Sequence, residues 1–222
     1  MKIGIFGGTF DPFTPGHKAI VDASLEKLDK VIIMPTVVAW HRGDKKHWLT
    51  NLRKVDLIES IFFDRALYTL GREPIHRYNI EEAFSRASIV CDMSELMWAQ
   101  NNPDLVNDRR YIHMLSDATC RYGIEHEYYT IIGTDSYKNF GTWWKNESIQ
   151  TLAKLMVFNG RDNEDLSNLL YAYAHGTEFI TIAPEFSKIS ASKIREIYMN
   201  RPFGYNDYVT DFREGKINER IA

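Results

Sequence analysis

Residues 2–17 read KIGIFGGTFDPFTPGH and contain, in order, an apolar run, a glycine turn and the start of a helix. The apolar run is expected to be a strand that breaks at the Gly7-Gly8 pair. Thr14 can cap the helix through its hydroxyl, and Pro15 suits the first helical position, where its missing N–H is not needed. Such an arrangement presents backbone N–H groups and the positive end of a helix dipole to a phosphate. His17 lies in the first turn of this helix, so the stretch predicts a phosphate site that contains a histidine.

The composition is typical of an ordinary globular protein. The chain has 222 residues, of which 44% are apolar and 26% charged, and this length allows one sizeable core. The formal net charge of −3 provides no general attraction to nucleic acid or to an anionic membrane. We therefore expect neither nucleic acid nor a membrane as a partner, and a site for a polyanion must be a local pocket.

The cysteines and the N-terminus predict a soluble, cytoplasmic protein. Cys91 and Cys120 lie far apart without metal-binding spacing around them, which suits a reducing compartment. The chain enters a strand at once, so we expect no signal peptide. No apolar run approaches the roughly 20 residues that a membrane helix needs.

Short apolar runs alternate with segments of helical spacing along the chain, which predicts an α/β fold. We expect a Rossmann-like, mainly parallel sheet with helices on both faces, in one domain over residues 1–222 whose helical C-terminal portion begins near residue 188. The predicted strands are residues 2–6, 30–34, 88–93, 129–133, 154–158 and 178–182, and the predicted helices are residues 18–28, 52–63, 111–122, 167–174 and 192–199. Residues 36–48 and 67–78 are expected to be irregular, and the stretch after Arg201 to end in a short helix. Ligands of such sheets bind at the carboxyl ends of the strands, where the opening motif lies.

Three motifs resemble signatures of one family. GGTFDPFTPGH is similar to the nucleotidyltransferase signature G-x-F-D-P-x-[HT]-x-G-H, and ISASKIR at residues 189–195 is similar to I-S-x-[ST]-x-I-R. Residues 131–135 with Trp143 resemble the G-x-D…W segment of nicotinate or nicotinamide mononucleotide adenylyltransferases. The resemblance implies a nucleotidyltransferase-type fold and a reaction of ATP with a pyridine mononucleotide that gives the dinucleotide and pyrophosphate. It also implies Mg²⁺, which would arrive with ATP, while no residues are expected to form a fixed metal site.

The chemistry of this reaction explains the residue types. Attack of a phosphate on the α-phosphorus of ATP needs no covalent enzyme intermediate, so catalysis depends on positioning and on stabilising charge. The resemblance implies that His17 donates to the α-phosphate and that Arg195 and Ser192 contact the β- and γ-phosphates. Ser190 is expected to cap the second helix start, which can receive those phosphates. Asp11 is expected to fix the turn through backbone N–H groups.

The expected site residues fall into two groups. Asp135 follows a buried-looking strand and either accepts from ribose hydroxyls or caps the next helix. His17 and Arg195 are the predicted catalytic residues. The predicted ATP-binding residues are Gly7, Gly8, Thr9, Phe10, Thr14, His17, Gly133, Asp135, Ser190, Ser192 and Arg195, and the predicted mononucleotide-binding residues are His41, Arg42, Tyr111 and Trp143.

The mononucleotide group departs from the family pattern at two places. Residues 38–40 replace the prolines that normally precede the His41-Arg42 pair, and both threonines around Tyr111 are missing, so nicotinate and nicotinamide remain alternatives. Trp143 is expected to face the ligand and Trp144 to pack in the core.

Two other functions compete with this interpretation. Thr14 and the continuation through residues 16–20 are similar to pantetheine-phosphate adenylyltransferases. A nucleotide sensor without turnover is the third possibility, although a sensor has no need of the donor His17. The oligomeric state and the role of residues 67–78 and of the C-terminal tail are left open.

Overall fold

The computed structural model describes residues 1–37, 48–65, 67–70, 85–159, 176–187 and 189–221. Within these ranges the strands are β1 (Lys2–Gly8), β2 (Lys30–Pro35), β3 (Leu67–Leu70), β4 (Ile89–Asp92), β5 (Glu127–Gly133), β6 (Lys154–Phe158) and β7 (Glu178–Ile180). They form one sheet in the order β3-β4-β2-β1-β5-β6-β7, and every neighbouring pair is parallel. The predicted parallel sheet is therefore confirmed, and all six predicted strands are present.

Strand β3 corrects the expectation that residues 67–78 are irregular. Leu67–Leu70 pairs in parallel with β4 at one edge of the sheet. A strand of four residues is too short to show a period of two, so its pairing partner rather than its own pattern defines it. The rest of that segment, residues 71–78, lies outside the described residues.

The described helices cover both faces of the sheet. They are α1 (Pro15–Leu25), α2 (Asn51–Ile61), α3 (Ser94–Asn101), α4 (Tyr111–Tyr122), α5 (Thr134–Lys138), α6 (Asn146–Leu152), α7 (Pro184–Ser187), α8 (Ala191–Tyr198), α9 (Gly204–Arg213) and α10 (Ile217–Ile221), with 3₁₀ turns at Pro103–Asp108 and Phe140–Thr142. Helix α4 has the predicted bounds, and α1, α2 and α8 overlap their predictions. The predicted helix at residues 167–174 lies outside the described residues.

Alternate residues of β1 enter two separate cores. Ile3 and Ile5 of β1 face a core that includes apolar residues of α4 and α6. Phe6 faces the opposite core, which includes residues of α1, α2, α8 and α9. This alternation follows from the period of two along a strand, and it makes the strands of a doubly covered sheet apolar on both sides. Tyr198 and Phe212 of the C-terminal helices belong to the same core as Phe6. The division of the chain into one domain stays a prediction.

The order of the strands places a crevice between β1 and β5. The chain passes from β1 to β2 on one side of β1, while β5 lies on the other side. Ligands of such sheets bind at this reversal, at the carboxyl ends of the strands. The ends concerned are Gly8 of β1 and Gly133 of β5. In the described part of the chain, no helix combines the length and apolarity needed to cross a membrane.

Candidate active site

The turn after β1, residues Thr9–Phe13, is called the phosphate turn here. The expected break at the Gly7-Gly8 pair is wrong, because both glycines belong to β1 and pair with Met34 and Pro35 of β2. Strand β2 pairs with β1 up to Gly8, and the N–H of Thr36, just after β2, donates to the carbonyl of Gly8 at 2.8 Å. The phosphate turn therefore begins one residue beyond the glycines.

Gly7 lies against side chains of α4. A Cβ at Gly7 would lie 2.7 Å from the Cε of Met114 and 3.4 Å from the ring of Tyr111. A side chain at Gly7 would therefore require the end of the Met114 side chain to move. The predicted contact between the N–H groups of Gly7, Gly8, Thr9 and Phe10 and ATP stays a prediction.

Phe10 has the left-handed backbone conformation of the phosphate turn. Its φ is +42°, which costs a residue other than glycine on the order of 1–3 kcal/mol. Its buried ring lies 5.2 Å from the rings of Phe6, Phe13 and His17, measured between centroids. This aromatic packing holds the unfavourable conformation and surrounds the histidine with apolar groups.

Thr14 and His17 bond each other at the start of α1. The Thr14 hydroxyl accepts from the backbone N–H of His17 at 3.2 Å, so the predicted cap is confirmed. The backbone N–H of Thr14 in turn donates to Nδ1 of His17 at 2.9 Å. Since Nδ1 accepts, the neutral ring carries its proton on Nε2. The half-buried His17 thus has a fixed tautomer whose Nε2–H is a donor.

Asp11 holds the phosphate turn against the start of α2. Its buried carboxylate accepts from the N–H of Trp48 at 2.9 Å and from the N–H of Leu49 at 2.8 Å. The expected role of Asp11 in fixing the turn is confirmed. Both carboxylate oxygens accept from backbone N–H groups.

The second helix start is joined to the same turn. Ser190 caps α8 by accepting from the N–H of Lys193 at 3.1 Å, as predicted. The half-buried guanidinium of Arg195 donates to the backbone carbonyl of Asp11 and, at 3.1 Å, to the hydroxyl of Ser192. The structure therefore brings together the two predicted phosphate-binding motifs from opposite ends of the chain.

Asp135 lies in the first turn of α5, directly after β5. The N-cap of α5 is Gly133, and the exposed Asp135 carboxylate accepts from the N–H of Ser136 at 2.8 Å. The alternative that Asp135 caps the helix is therefore wrong, because the N-cap of α5 lies two residues earlier, at Gly133. Its predicted contact with a ribose stays a prediction.

Tyr111 and Trp143 form an aromatic pair beside Gly7. Their ring centroids are 5.2 Å apart, and the half-buried Trp143 also packs against Phe140 at 5.4 Å. Burial raises the pKa of the Tyr111 hydroxyl far above its ordinary value, and the neighbouring Thr130 hydroxyl opposes this only in part. The Tyr111 hydroxyl is therefore protonated and remains a possible hydrogen-bond donor, while its ring packs against Trp143.

Trp144 is not a core residue, contrary to the prediction. Its side chain is 49% exposed, and it lies between the ring of His113 at 5.2 Å and the ammonium of Lys145 at 4.4 Å. Lys145 has a left-handed backbone conformation just before α6, which turns Trp144 outward. His41 and Arg42 lie outside the described residues.

Lys54 was not among the predicted site residues, although it lies beside the phosphate turn. Its side chain is 1% exposed, and its Nζ donates to the carbonyl of Thr36 at 3.3 Å. Burial lowers the pKa of Lys54, and the negative charge of Asp11 opposes this shift. A sequence signal existed, because Lys54 precedes Leu57, Ile58 and Ile61 at the i, i+3, i+4 and i+7 spacing of a buried helix face.

Together, the parallel sheet, the strand reversal and the two joined helix starts define a doubly wound α/β protein with two helix N-termini joined at the end of β1. A family model described as cytidylyltransferase-like matches residues 5–197, which is most of the chain. The chain belongs to this cytidylyltransferase-like family. The family relationship predicted from the signatures is thereby confirmed.

Individual relatives agree with this assignment. The chain is 28% identical over 203 residues to a probable nicotinate-nucleotide adenylyltransferase of Fusobacterium nucleatum, covering 90% of this chain and 89% of the relative. It is also 39% identical over 62 residues to a phosphopantetheine adenylyltransferase of the same organism, covering 28% of this chain and 36% of that relative. The solved structure of Plasmodium falciparum nicotinic acid mononucleotide adenylyltransferase complexed with NaAD matches with a TM-score of 0.63 and 15% identity, covering 99% of this chain and 98% of that one. At 15% identity, the match to this solved structure shows a similarity of fold alone.

Proposed function

We propose that this protein transfers the adenylyl group of ATP to a pyridine mononucleotide, which gives the dinucleotide and pyrophosphate. The observation that carries the proposal is the placement of His17. Its Nδ1 is held by the N–H of Thr14, and the turn beside it is bonded to Arg195 of the second helix start. One donor and two helix starts at a strand reversal are what a triphosphate undergoing substitution at its α-phosphorus requires.

The reaction follows from these positions. A phosphate oxygen of the mononucleotide attacks the α-phosphorus in line, a new P–O bond forms, and the bond to the bridging oxygen of the β-phosphate breaks. Nε2–H of His17 donates to a non-bridging α-phosphate oxygen as negative charge increases there. No residue forms a bond to phosphorus, so positioning and charge stabilisation account for catalysis.

Arg195 and the start of α8 would hold the leaving pyrophosphate. The guanidinium has five N–H donors, of which two are used in the bonds to Asp11 and Ser192. The hydroxyl of Ser192 and the N–H groups at the start of α8 lie beside it and add donors for the β- and γ-phosphates. A cation near the bridging oxygen favours departure of the pyrophosphate.

Mg²⁺ would enter with ATP, bound by phosphate oxygens and water. Among the residues that the structure describes, no three His, Cys, Asp or Glu side chains come together as a set of metal ligands. The carboxylate of Asp11 is already bonded to two backbone N–H groups. When bound, the cation neutralises charge on the triphosphate and on the departing pyrophosphate.

The acceptor would lie on the Tyr111 side of the crevice. The Tyr111 and Trp143 rings offer an apolar wall for a flat pyridine ring. His41-Arg42, which follows β2 in the sequence, supplies positive charge. We take nicotinate mononucleotide as the preferred acceptor, because the relative that spans most of the chain is described as a nicotinate-nucleotide enzyme. We place the reaction in the cytoplasm, because Cys91 and Cys120 lie far apart in the sequence without metal-binding spacing, which suits a reducing compartment.

The test is an acceptor comparison. The protein is incubated with MgATP and, separately, nicotinate mononucleotide, nicotinamide mononucleotide or phosphopantetheine, while pyrophosphate is measured and the nucleotide product identified by chromatography. We expect turnover with a pyridine mononucleotide, fastest with the nicotinate form. Turnover with phosphopantetheine alone would exclude the proposal.

Phosphopantetheine remains a second candidate acceptor for one reason. The similarity to a phosphopantetheine adenylyltransferase is higher in identity than that to the nicotinate-nucleotide relative, but it covers little more than a quarter of the chain. The nicotinate-nucleotide relative matches over 90% of the chain, so we rank the pyridine mononucleotide first. Binding of MgATP without turnover with any acceptor would instead support the nucleotide sensor.

A further inference from the structure

Lys54 is a buried cation that lies next to the phosphate turn. Its side chain is 1% exposed, and its ammonium donates to the Thr36 carbonyl at 3.3 Å. Lysine is almost never buried to this degree unless another charge offsets its own. The negative charge of Asp11, which is itself 4% exposed, opposes the lowering of the Lys54 pKa by burial.

Asp11 and Lys54 together hold two separate pieces of chain at the end of β1. Asp11 accepts from the N–H groups of Trp48 and Leu49, which precede α2. Lys54 holds the carbonyl of Thr36, whose own N–H donates to Gly8 of β1. Residues on both sides of the segment 38–47 are thereby fixed at the phosphate turn.

The negative charge of Asp11 would repel a bound triphosphate, and the positive charge of Lys54 can reduce this repulsion. Asp11 is 4% exposed and belongs to the turn that would cradle a triphosphate. A buried carboxylate there repels phosphate oxygens, and this repulsion is weakly screened because the site is shielded from water. A cation of opposite sign buried beside the carboxylate reduces the field at the turn without contacting the substrate.

We propose that Lys54 is a positioning residue for ATP, which offsets the buried charge of Asp11 and holds the end of β2 against the phosphate turn. The inference rests on the proposed function for the identity of the nucleotide, but direct binding of MgATP tests it independently of turnover. Lys54 acts through Asp11 and Thr36, so its removal should weaken ATP binding more than it slows the chemical step.

The experiment measures the Kd for MgATP by calorimetry and KM and kcat with the best acceptor, for five variants and the wild-type protein. Lys54→Met keeps the length of the side chain and removes the charge, whereas Lys54→Arg keeps the charge. Asp11→Asn removes the opposite charge, and the double variant removes both. Arg53→Met is the matched control, because Arg53 is an exposed cation on the same turn of α2. Thermal unfolding is followed for each variant.

We expect Lys54→Met to raise the Kd and KM for MgATP roughly tenfold, with kcat changed less. Lys54→Arg should recover much of this loss, and Arg53→Met should bind as the wild type does. Adding Asp11→Asn to Lys54→Met should cost less than the sum of the single effects, because no unpaired buried charge remains.

Three results would overturn the proposal. The first is an unchanged MgATP affinity in Lys54→Met, and the second is an equal loss in Arg53→Met. The third is a loss of MgATP affinity in the double variant that equals or exceeds the sum of the losses in the two single variants. That result would mean that Lys54 does not offset the charge of Asp11 and contributes to stability only. If Lys54→Met does not fold, the MgATP affinities of the double variant and of Lys54→Arg still test the proposal. Binding of MgATP without turnover would reject the proposed function and leave this test intact.

Discussion

Arg195 in α8 donates a hydrogen bond to the backbone carbonyl of Asp11, a residue 184 positions earlier in the chain. This bond links the start of α8 to the turn after β1, and Arg195 also contacts the hydroxyl of Ser192 at 3.1 Å. The two motifs therefore lie together because a single guanidinium contacts both.

Replacing Arg195 with lysine should not be conservative. An ammonium lacks the planar set of donors that reaches Asp11, Ser192 and a phosphate together. We expect Arg195→Lys to lower kcat/KM for ATP by roughly tenfold or more, a loss of about 1.4 kcal/mol or more. Lys193→Gln, an exposed neighbour on α8, is the control and should retain its activity. Equal losses in both variants would show that α8 needs positive charge in general rather than this guanidinium.

Replacing His17 with alanine should remove most of kcat while MgATP affinity changes little. Loss of one fixed donor to a developing charge commonly costs ~3–4 kcal/mol, or about 10²–10³ in rate. Single-turnover rates and calorimetric binding of MgATP separate the two effects. His126→Ala is a suitable control, because His126 directly precedes β5 at the amino end of the strand, away from the crevice. A large loss of affinity with kcat preserved would assign His17 to ground-state binding.

Thr14 makes two bonds that a mutation can separate. Thr14→Val removes the hydroxyl that caps α1 but keeps the backbone N–H that holds Nδ1 of His17. We expect a loss of about 0.5–2 kcal/mol in the free energy of unfolding and a small change in kcat. Thr14→Ser restores the hydroxyl and should recover the stability. If kcat falls as far as in His17→Ala, the hydroxyl itself contacts a phosphate and the cap is only part of its role.

The two adjacent tryptophans should differ in their effect on the acceptor. Trp143 is half-buried against Tyr111, whereas the ring of Trp144 is 49% exposed between His113 and Lys145. Trp143→Ala should raise KM for the pyridine mononucleotide severalfold, through loss of ring stacking worth about 0.5–1.5 kcal/mol, and leave KM for ATP unchanged. Trp144→Ala is the matched control. A larger effect of Trp144→Ala would place the pyridine ring on the outer tryptophan.

Local signals in the sequence predicted much of the framework. Helix α4 has the predicted bounds, and the caps at Thr14 and Ser190 form with residues three positions further on. Strand β3 was missed because four residues show no period. Helices α3, α5, α6 and α7 were missed because segments of four to eight residues leave too little room for an amphipathic pattern.

The features of the candidate site also divide into those that the sequence predicted and those that only the structure showed. The sequence by itself determined the phosphate turn, the capped helix starts and the family, because these depend on residues within a few positions of one another. Only the tertiary structure decided that Arg195 bonds to Asp11, that Lys54 is buried beside it and that Trp144 turns outward while Trp143 packs inward. The physical reason is that burial and long-range hydrogen bonds depend on which elements meet across the sheet. A sequence pattern records the face of each helix, but it does not record the partner that covers that face.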